Sequence, residues 1–307
     1  MNHEIDIIGL NPSTLAQARQ NPDLNALISW WPDPRTDWVQ FNINNKPYDN
    51  KDLRMALAKS IDRTTWAQQV LNGSYLPAYS MLCPGFPANN PDLEPIQRFD
   101  VEAAKALLEK AGYKDGIDSA TGKPLQVTMT VANRNGNYPQ FIQQQWQDNL
   151  GIEVVLDTVE DAVWRQMRTD HKMDVFLQFY EYDFWDPANL LTMIFHSVPG
   201  PNDIPNTVWG SGQNPWYNAD FDKLTDEAGV EVDPVKRIDL YKQAEKVMVE
   251  DAGQIFLLWM LVFSIWWPYV TGWEPNKDGV VEYRYLDMAI THPYIRNDVD
   301  KYRKSLL

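Results

Sequence analysis

Between Pro124 and Tyr180 the hydrophobic period switches back and forth between two and 3.6 residues, and that alternation limits the fold more than any other feature. "PLQVTMTV" alternates strictly, with Leu125, Val127, Met129 and Val131 on one side and Gln126, Thr128 and Thr130 on the other, as a strand requires. "YPQFIQQQWQDNL" follows with helical spacing, then the strand "IEVVLDTV", the helix "DAVWRQMRT" and the strand "MDVFLQFY". Strands joined through helices return in the same direction, so the expected architecture is α/β with a largely parallel sheet.

The flanking sequence extends this pattern. The opening reads as a short strand, a helix from Ser13 to Gln20 and a Pro-rich bend at "WWPDPRTDW". A helix follows at "DNKDLRMALAKSIDR", and Asp62 caps a second one that runs to the stop signal "NGSY". The next thirty or so residues hold Cys83 and Pro77, Pro84, Pro87, Pro91 and Pro95, a long loop expected to wrap the domain or serve function. Asp100 caps "VEAAKALLEKAGY", whose apolar face is Ala104, Leu107, Leu108 and Ala111 and whose stop is Gly112. Two further helices are expected, one from near Asp220 and one capped by Asp233 with Pro234 at its first position. The uncharged run "IFLLWMLVFSIWWPYV", residues 255–270, is shorter than the roughly 20 residues a spanning helix needs. Its β-branched and aromatic content suits buried strands.

Charge and motif content exclude several functions. A net charge of −15 leaves no basic excess for nucleic acid or an anionic membrane surface. The single cysteine, Cys83, permits neither an internal disulfide nor a thiolate zinc cluster. Phosphate-cradling, dinucleotide-binding, nucleophile-elbow and HExxH motifs are all missing. His3, His171, His196 and His292 are scattered without partners at metal-ligand spacing. Neither a metal nor a cofactor is expected. "MNHEIDIIGLNPS" has no basic and apolar leader pattern, so no signal peptide is expected in this sequence.

"QFYEYDFWDP", residues 178–187, concentrates the remaining chemistry: five aromatic rings and three carboxylates in ten positions. If the strand continues through it, Glu181 and Asp183 share a face about 6–7 Å apart, a separation used by glycosidases. Asp186 precedes Pro187 and can cap a helix at "PANLLTMIF". The chain also has 13 Trp against 11 Phe. Trp30, Trp31, Trp38, Trp185, Trp209, Trp216 and Trp273 fall in loops or at element ends, and as a set suggest a stacking, ligand-lined cleft.

The segments "FNINNKPYDNKDLRMALAKSIDR", "VLNGSYLPAYS", "FDVEAAKALLEKAGY", "LGIEVVLDTVE", "DVFLQFYEYDFWDPANLLTMIFHS" and "YNADFDKLTDEAGVEVDPVKRIDLYKQAEKVMVEDAGQIFLLW" resemble, in order, those of the family 5 extracellular solute-binding proteins. These are oligopeptide-, dipeptide- and nickel-binding components of ABC importers. The resemblance implies a type II periplasmic-binding-protein fold, mainly its second lobe with part of the first. Residues 1–40 would be a remnant of lobe I, 41–252 lobe II and 253–307 a return to lobe I. It also implies an extracytoplasmic, non-catalytic binder of peptides that works with ABC permease subunits. Family members carry a signal peptide and a long N-terminal portion before the point where this sequence begins, so a truncated form is expected. Its strands at 255–270 should then be bare, and either a missing lobe I portion or self-association should cover them.

By the same resemblance Asp183 is the aspartate that pairs with a peptide's α-ammonium. Tyr180, Tyr182, Phe184, Trp185 and Trp209 are expected to line the ligand. Dipeptide-binding relatives use an Arg early in the 138–149 helix for the ligand's carboxylate. Here that helix opens "NGNYPQF", with Arg134 slightly upstream. Other relatives take oligosaccharides, which the Trp excess also fits. Peptide is the first reading, oligosaccharide the second, and a glycoside hydrolase using Glu181 and Asp183 the alternative class.

Overall fold

The computed structural model describes residues 7–198, 206–207, 215–267, 270–271 and 294–295. Trp209, Trp273, His3 and His292 lie outside the described residues. Seven strands form the main sheet: β1 (Ile7–Leu10), β2 (Ile28–Phe41), β3 (Tyr75–Pro77), β4 (Gln126–Ala132), β5 (Glu153–Val159), β6 (Val175–Glu181) and β7 (Gln254–Trp266). Their order is β1-β7-β2-β6-β4-β5, with β3 also against β7. The principal helices are α1 (Pro12–Gln20), α2 (Lys51–Lys59), α3 (Val101–Lys110), α4 (Tyr138–Leu150), α5 (Asp161–Thr169), α6 (Ala219–Val230) and α7 (Pro234–Asp251).

The sheet is mixed, not largely parallel. Only β4 with β5 and β4 with β6 run parallel, through the crossovers of α4 and α5; all other pairings are antiparallel. The helical alternation that suggested a parallel sheet covers just those three strands. The Pro-rich bend is a second correction: "WWPDPRTDW" lies inside β2. Its pairing with β7 slips between Pro32 and Thr36, so Pro32, paired with Leu261, borders the irregularity and Pro34 lies within it, where a missing N–H costs no ladder bond.

The two faces of the sheet carry separate cores. On one, Val39, Phe41, Val127, Met129, Val175, Leu177, Ile255 and Leu257 pack beneath α2, α3 and α4. On the other, Trp38 and Phe256 pack with Tyr241, Ala244 and Met248 of α7 and with Leu190 and Phe195. The long loop belongs to this second core. It begins as β3, carries buried Ala78, Met81, Leu82, Cys83 and Phe86, and ends in a helical turn at Glu94–Gln97.

The apolar run is not bare among the described residues. β7 is flanked by β2 on one side and by β1 and β3 on the other, and Ile255 to Trp259 are buried throughout. Two tryptophans expected in a cleft, Trp38 and Trp216, are fully buried core residues. α6 starts at Ala219, near Asp220 as expected, and Asn218 caps it by accepting from Asp220 N and Phe221 N. No described helix is long and apolar enough to cross a membrane.

Candidate functional site

β6 carries the candidate stretch to the carboxyl edge of the parallel strands, the edge at which open α/β sheets bind ligands. The strand ends at Glu181 and the chain turns into the short helix Pro187–Leu190. Asp186 starts that helix: its Oδ1 accepts from Ala188 N at 2.9 Å. Both of its oxygens also accept from Arg237 of α7, at 2.8 and 2.7 Å. This charge-assisted fork holds the Arg237 guanidinium above its ordinary pKa. Asp186 is thus a fastener between the loop and α7.

Asp183 is placed differently. Its backbone N donates to Asn189 Oδ1 at 2.8 Å, and fully buried Asn189 returns a bond from Nδ2 to Oδ2 at 3.2 Å. Tyr180 Oη donates to the same oxygen at 2.6 Å, and burial together with that bond pushes the phenol pKa up. Asp183 itself is exposed. One carboxylate oxygen is therefore held by two donors while the residue faces solvent, the arrangement of a fixed, accessible anion. Phe184 is exposed, at 39%. Tyr182 and Trp185 are half-buried: Trp185 packs on Phe86 with ring centroids 4.3 Å apart, and Tyr182 sits edge-on to both. They form a wall with its back in the second core.

Glu181 and Asp183 do not form a shared pair. Strand alternation sends Tyr180 to the face of the second core and Glu181 to the opposite one, and Asp183 turns back to Tyr180. Glu181 stands opposite Arg35 in the register and shares a side-chain hydrogen bond with Asp33. Burial, then the charge of Glu181 and a hydrogen bond to it, raises the Asp33 pKa to about 7. The strand ends before the alternation can bring the two acids together.

The same edge carries a cationic cluster that sequence spacing did not reveal. The Arg35 guanidinium lies 4.0 Å from the Phe179 ring centroid, and that of Arg134 lies 5.7 Å from it. Arg134 and Arg168 also flank Trp164 of α5, at 4.9 and 5.2 Å. Arg35 is neutralised by Asp37, at 3.0 Å. Arg134 and Arg165 share one carboxylate, Asp161. Arg168 has no carboxylate among the described residues, and its buried Nε has no hydrogen-bond partner. Burial, with the neighbouring guanidiniums next, lowers the pKa of both Arg134 and Arg168. Residues 134, 164 and 168 come from two connections after parallel strands, so only the crossover topology assembles them. A signal existed in the pairing of Arg165 and Arg168 around a Trp on one short helix.

The described residues contain no group of three metal-ligating side chains. Phe176 and Tyr180 project to one side of β6, Trp164 packing on the first and Asp183 bonded to the second, whereas Phe179, which Arg35 and Arg134 approach, projects to the other. Phe176 and Tyr180 are four residues apart, about 13 Å by strand rise.

A model of the bacterial extracellular solute-binding proteins, family 5 middle region, matches residues 1–202. The oligopeptide-binding protein OppA of Bacillus subtilis (strain 168) is 29% identical over 218 residues, covering 70% of this chain and 38% of that protein. A dipeptide-binding protein of Escherichia coli (strain K12) is 25% identical over 255 residues, 83% and 45% of the two chains. Among solved structures, HbpA2 from Haemophilus parasuis superposes with a TM-score of 0.76 at 21% identity, covering 95% of this chain and 54% of that one. DppA from Helicobacter pylori, solved with the peptide STSA, gives 0.70 at 20% identity, covering 88% and 50%. The chain spans about half the length of the relatives it matches.

Proposed function

The chain belongs to the bacterial extracellular solute-binding proteins of family 5 and has the type II periplasmic-binding-protein fold, and from that premise we propose that it binds short peptides without transforming them. The observation that carries the reading is a pair of opposite poles spaced along β6. Asp183 offers a fixed, solvent-facing carboxylate, and Arg134 and Arg168 offer guanidiniums that share too few carboxylates. A zwitterionic peptide satisfies both, its α-ammonium on Asp183 and its carboxylate on the guanidiniums. The roughly 13 Å between the anchoring strand positions matches three to four extended residues. Tyr182, Phe184 and Trp185 would line its side chains. Relatives named for oligopeptides and dipeptides support the same ligand class.

The partition at residues 1–40, 41–252 and 253–307 belongs to this proposal. β2 and β7 would be the two crossing segments, and they lie side by side in the sheet. Ligand contacts made by both lobes would favour the closed form, outside the cytoplasm and before an ABC permease.

Calorimetry with paired peptides tests the reading. Asp183→Asn should weaken a free tripeptide about 10–100-fold and leave its N-acetylated form unchanged. Arg168→Met should discriminate in the same way against free over C-amidated peptides. Equal loss for blocked and free forms, or hydrolysed peptide recovered by mass spectrometry, would refute it. Binding of oligosaccharides with no peptide affinity would do the same.

A further inference from the structure

Beyond the ligand edge, the α6–α7 corner exposes a feature that the binding reading leaves unused. The connection Glu231–Asp233 is tightly built: Asp233 N donates to Glu231 Oε1 at 2.8 Å, and Asp233 Oδ1 accepts from Val235 N and Lys236 N. This fixed turn holds Val230, Val232 and Val235 out into solvent, at 81%, 93% and 77% exposure. With Leu240 they floor an open groove of about 740 Å³. Isolated apolar residues at a surface are ordinary, but three valines within six residues held so far out by a rigid turn are not.

The rim sets the occupant. Glu227, Glu231 and Asp239 line the groove beside the valines with one lining cation, Lys236; Glu227 also pairs with exposed Lys223 at 3.9 Å, which leaves Glu231 and Asp239 as the principal acidic rim. A second copy of this chain is disfavoured, because a two-fold contact would set those carboxylates against themselves on a molecule of net charge −15. We infer that the groove between α6 and α7 is a docking surface for a basic amphipathic helix of a partner protein, with apolar side chains on the valines and Lys or Arg against the acidic rim. A third helix laid along a two-helix corner buries apolar area on both, and a volume of this size accepts several aliphatic side chains. The groove also lies beside the start of the helix whose Arg237 holds Asp186, so a partner seated there would stand one turn from the fastener of the candidate loop.

The test uses the chain with methyl-labelled valines and a synthetic Leu/Lys amphipathic helix of about 16 residues. The expected result is saturable binding at 150 mM salt, with shifts concentrated on Val230, Val232 and Val235. The double substitution Val232→Ser and Val235→Ser keeps every charge and should weaken the peptide at least tenfold while leaving the melting temperature unchanged. Glu231→Gln with Asp239→Asn should weaken it and flatten its salt dependence. Equal affinity in the serine variant would reduce the effect to general attraction to an acidic protein and overturn the proposal. So would equal binding of a Leu/Glu helix, absence of binding, or a dimer in sedimentation that the serine variant dissolves.

Discussion

Glu245 is completely buried on α7, with Oε1 accepting from Leu82 N at 2.7 Å and Oε2 touching no donor. Burial raises its pKa from 4.5 to about 8, against the opposing pull of the Leu82 bond, so at neutral pH it is held as the acid. A carboxyl whose folded pKa lies above its unfolded value contributes fully below the unfolded value, here 4.5. That contribution is lost as pH rises to about 8, because the folded state binds the extra proton. The loss is on the order of 3–5 kcal/mol. Glu245→Gln keeps the acceptor for Leu82 N and cannot ionise. It should match the wild type near pH 5 and exceed it above pH 8 in chemical denaturation. Parallel pH profiles for the two proteins would exclude Glu245 as the source. Asp33 works in the same direction, losing stability as pH rises toward about 7, so the pH dependence left in the Gln variant should fall in that lower window. Neither acid was visible in the sequence as special. Glu245 sits in an ordinary charged helical pattern, and only the loop from Ala78 folding back over α7 buries it.

Among the elements, the corner between α7 and β7 depends on one glycine. A Cβ at Gly253 would stand 2.0 Å from Trp216 Cδ1, within a fully buried ring. The indole is fixed there because Trp216 Nε1 donates to Asp251 Oδ2 at 2.6 Å, and Asp251 O accepts from buried Arg54 at 2.7 Å. Gly253→Ala therefore has no cheap relaxation and should cost about 1–3 kcal/mol, seen as a lower denaturation midpoint with unchanged slope. A wild-type midpoint would mean that the indole moves freely. The loop that carries Asp183 has its own fastener. Asp186→Ala removes a helix cap and an ion pair with Arg237 together, so its cost should exceed that of Arg237→Met, which leaves the cap. Most elements were legible because local rules suffice for them. The strands and helices from Gln126 to Glu181, and the caps at Asp62, Asp100, Asp186 and Asp233, fall where alternation and capping residues put them. β2 was hidden because two prolines read as a turn, whereas in the sheet Pro32 borders and Pro34 occupies a slip in the pairing with β7, more than 200 residues away.

At the scale of the whole molecule, the sequence supported the fold class through six ordered segments, but strand order and the burial of Ile255 to Trp259 required long-range pairing that no local pattern encodes. The candidate site was half legible. Asp183 and its aromatic neighbours lie on one continuous stretch, whereas Arg134, Trp164 and Arg168 meet only through the crossovers. Charge can be summed without either kind of information. Forty-two acidic residues face 27 basic ones, so 15 negative charges have no formal counterpart. Several of the ion pairs present, such as Lys114–Glu109, Lys172–Asp170 and Lys110–Asp52, have exposed lysines, and solvent screening leaves each of them little effect on stability. Salt weakens those attractions and the general repulsion alike, so the sign of its effect depends on which is larger. The repulsion acts among all the unmatched carboxylates over distances that the 30 Å screening length at 0.01 M leaves open and the roughly 8 Å length at 0.15 M closes. Raising sodium chloride from 10 to 150 mM at pH 8 should therefore raise the melting temperature by a few degrees. The gain should shrink at pH 5, where protonation has already removed part of the excess. A melting temperature that falls with salt at pH 8 would mean that the local pairs, weak as they are one by one, outweigh the net charge.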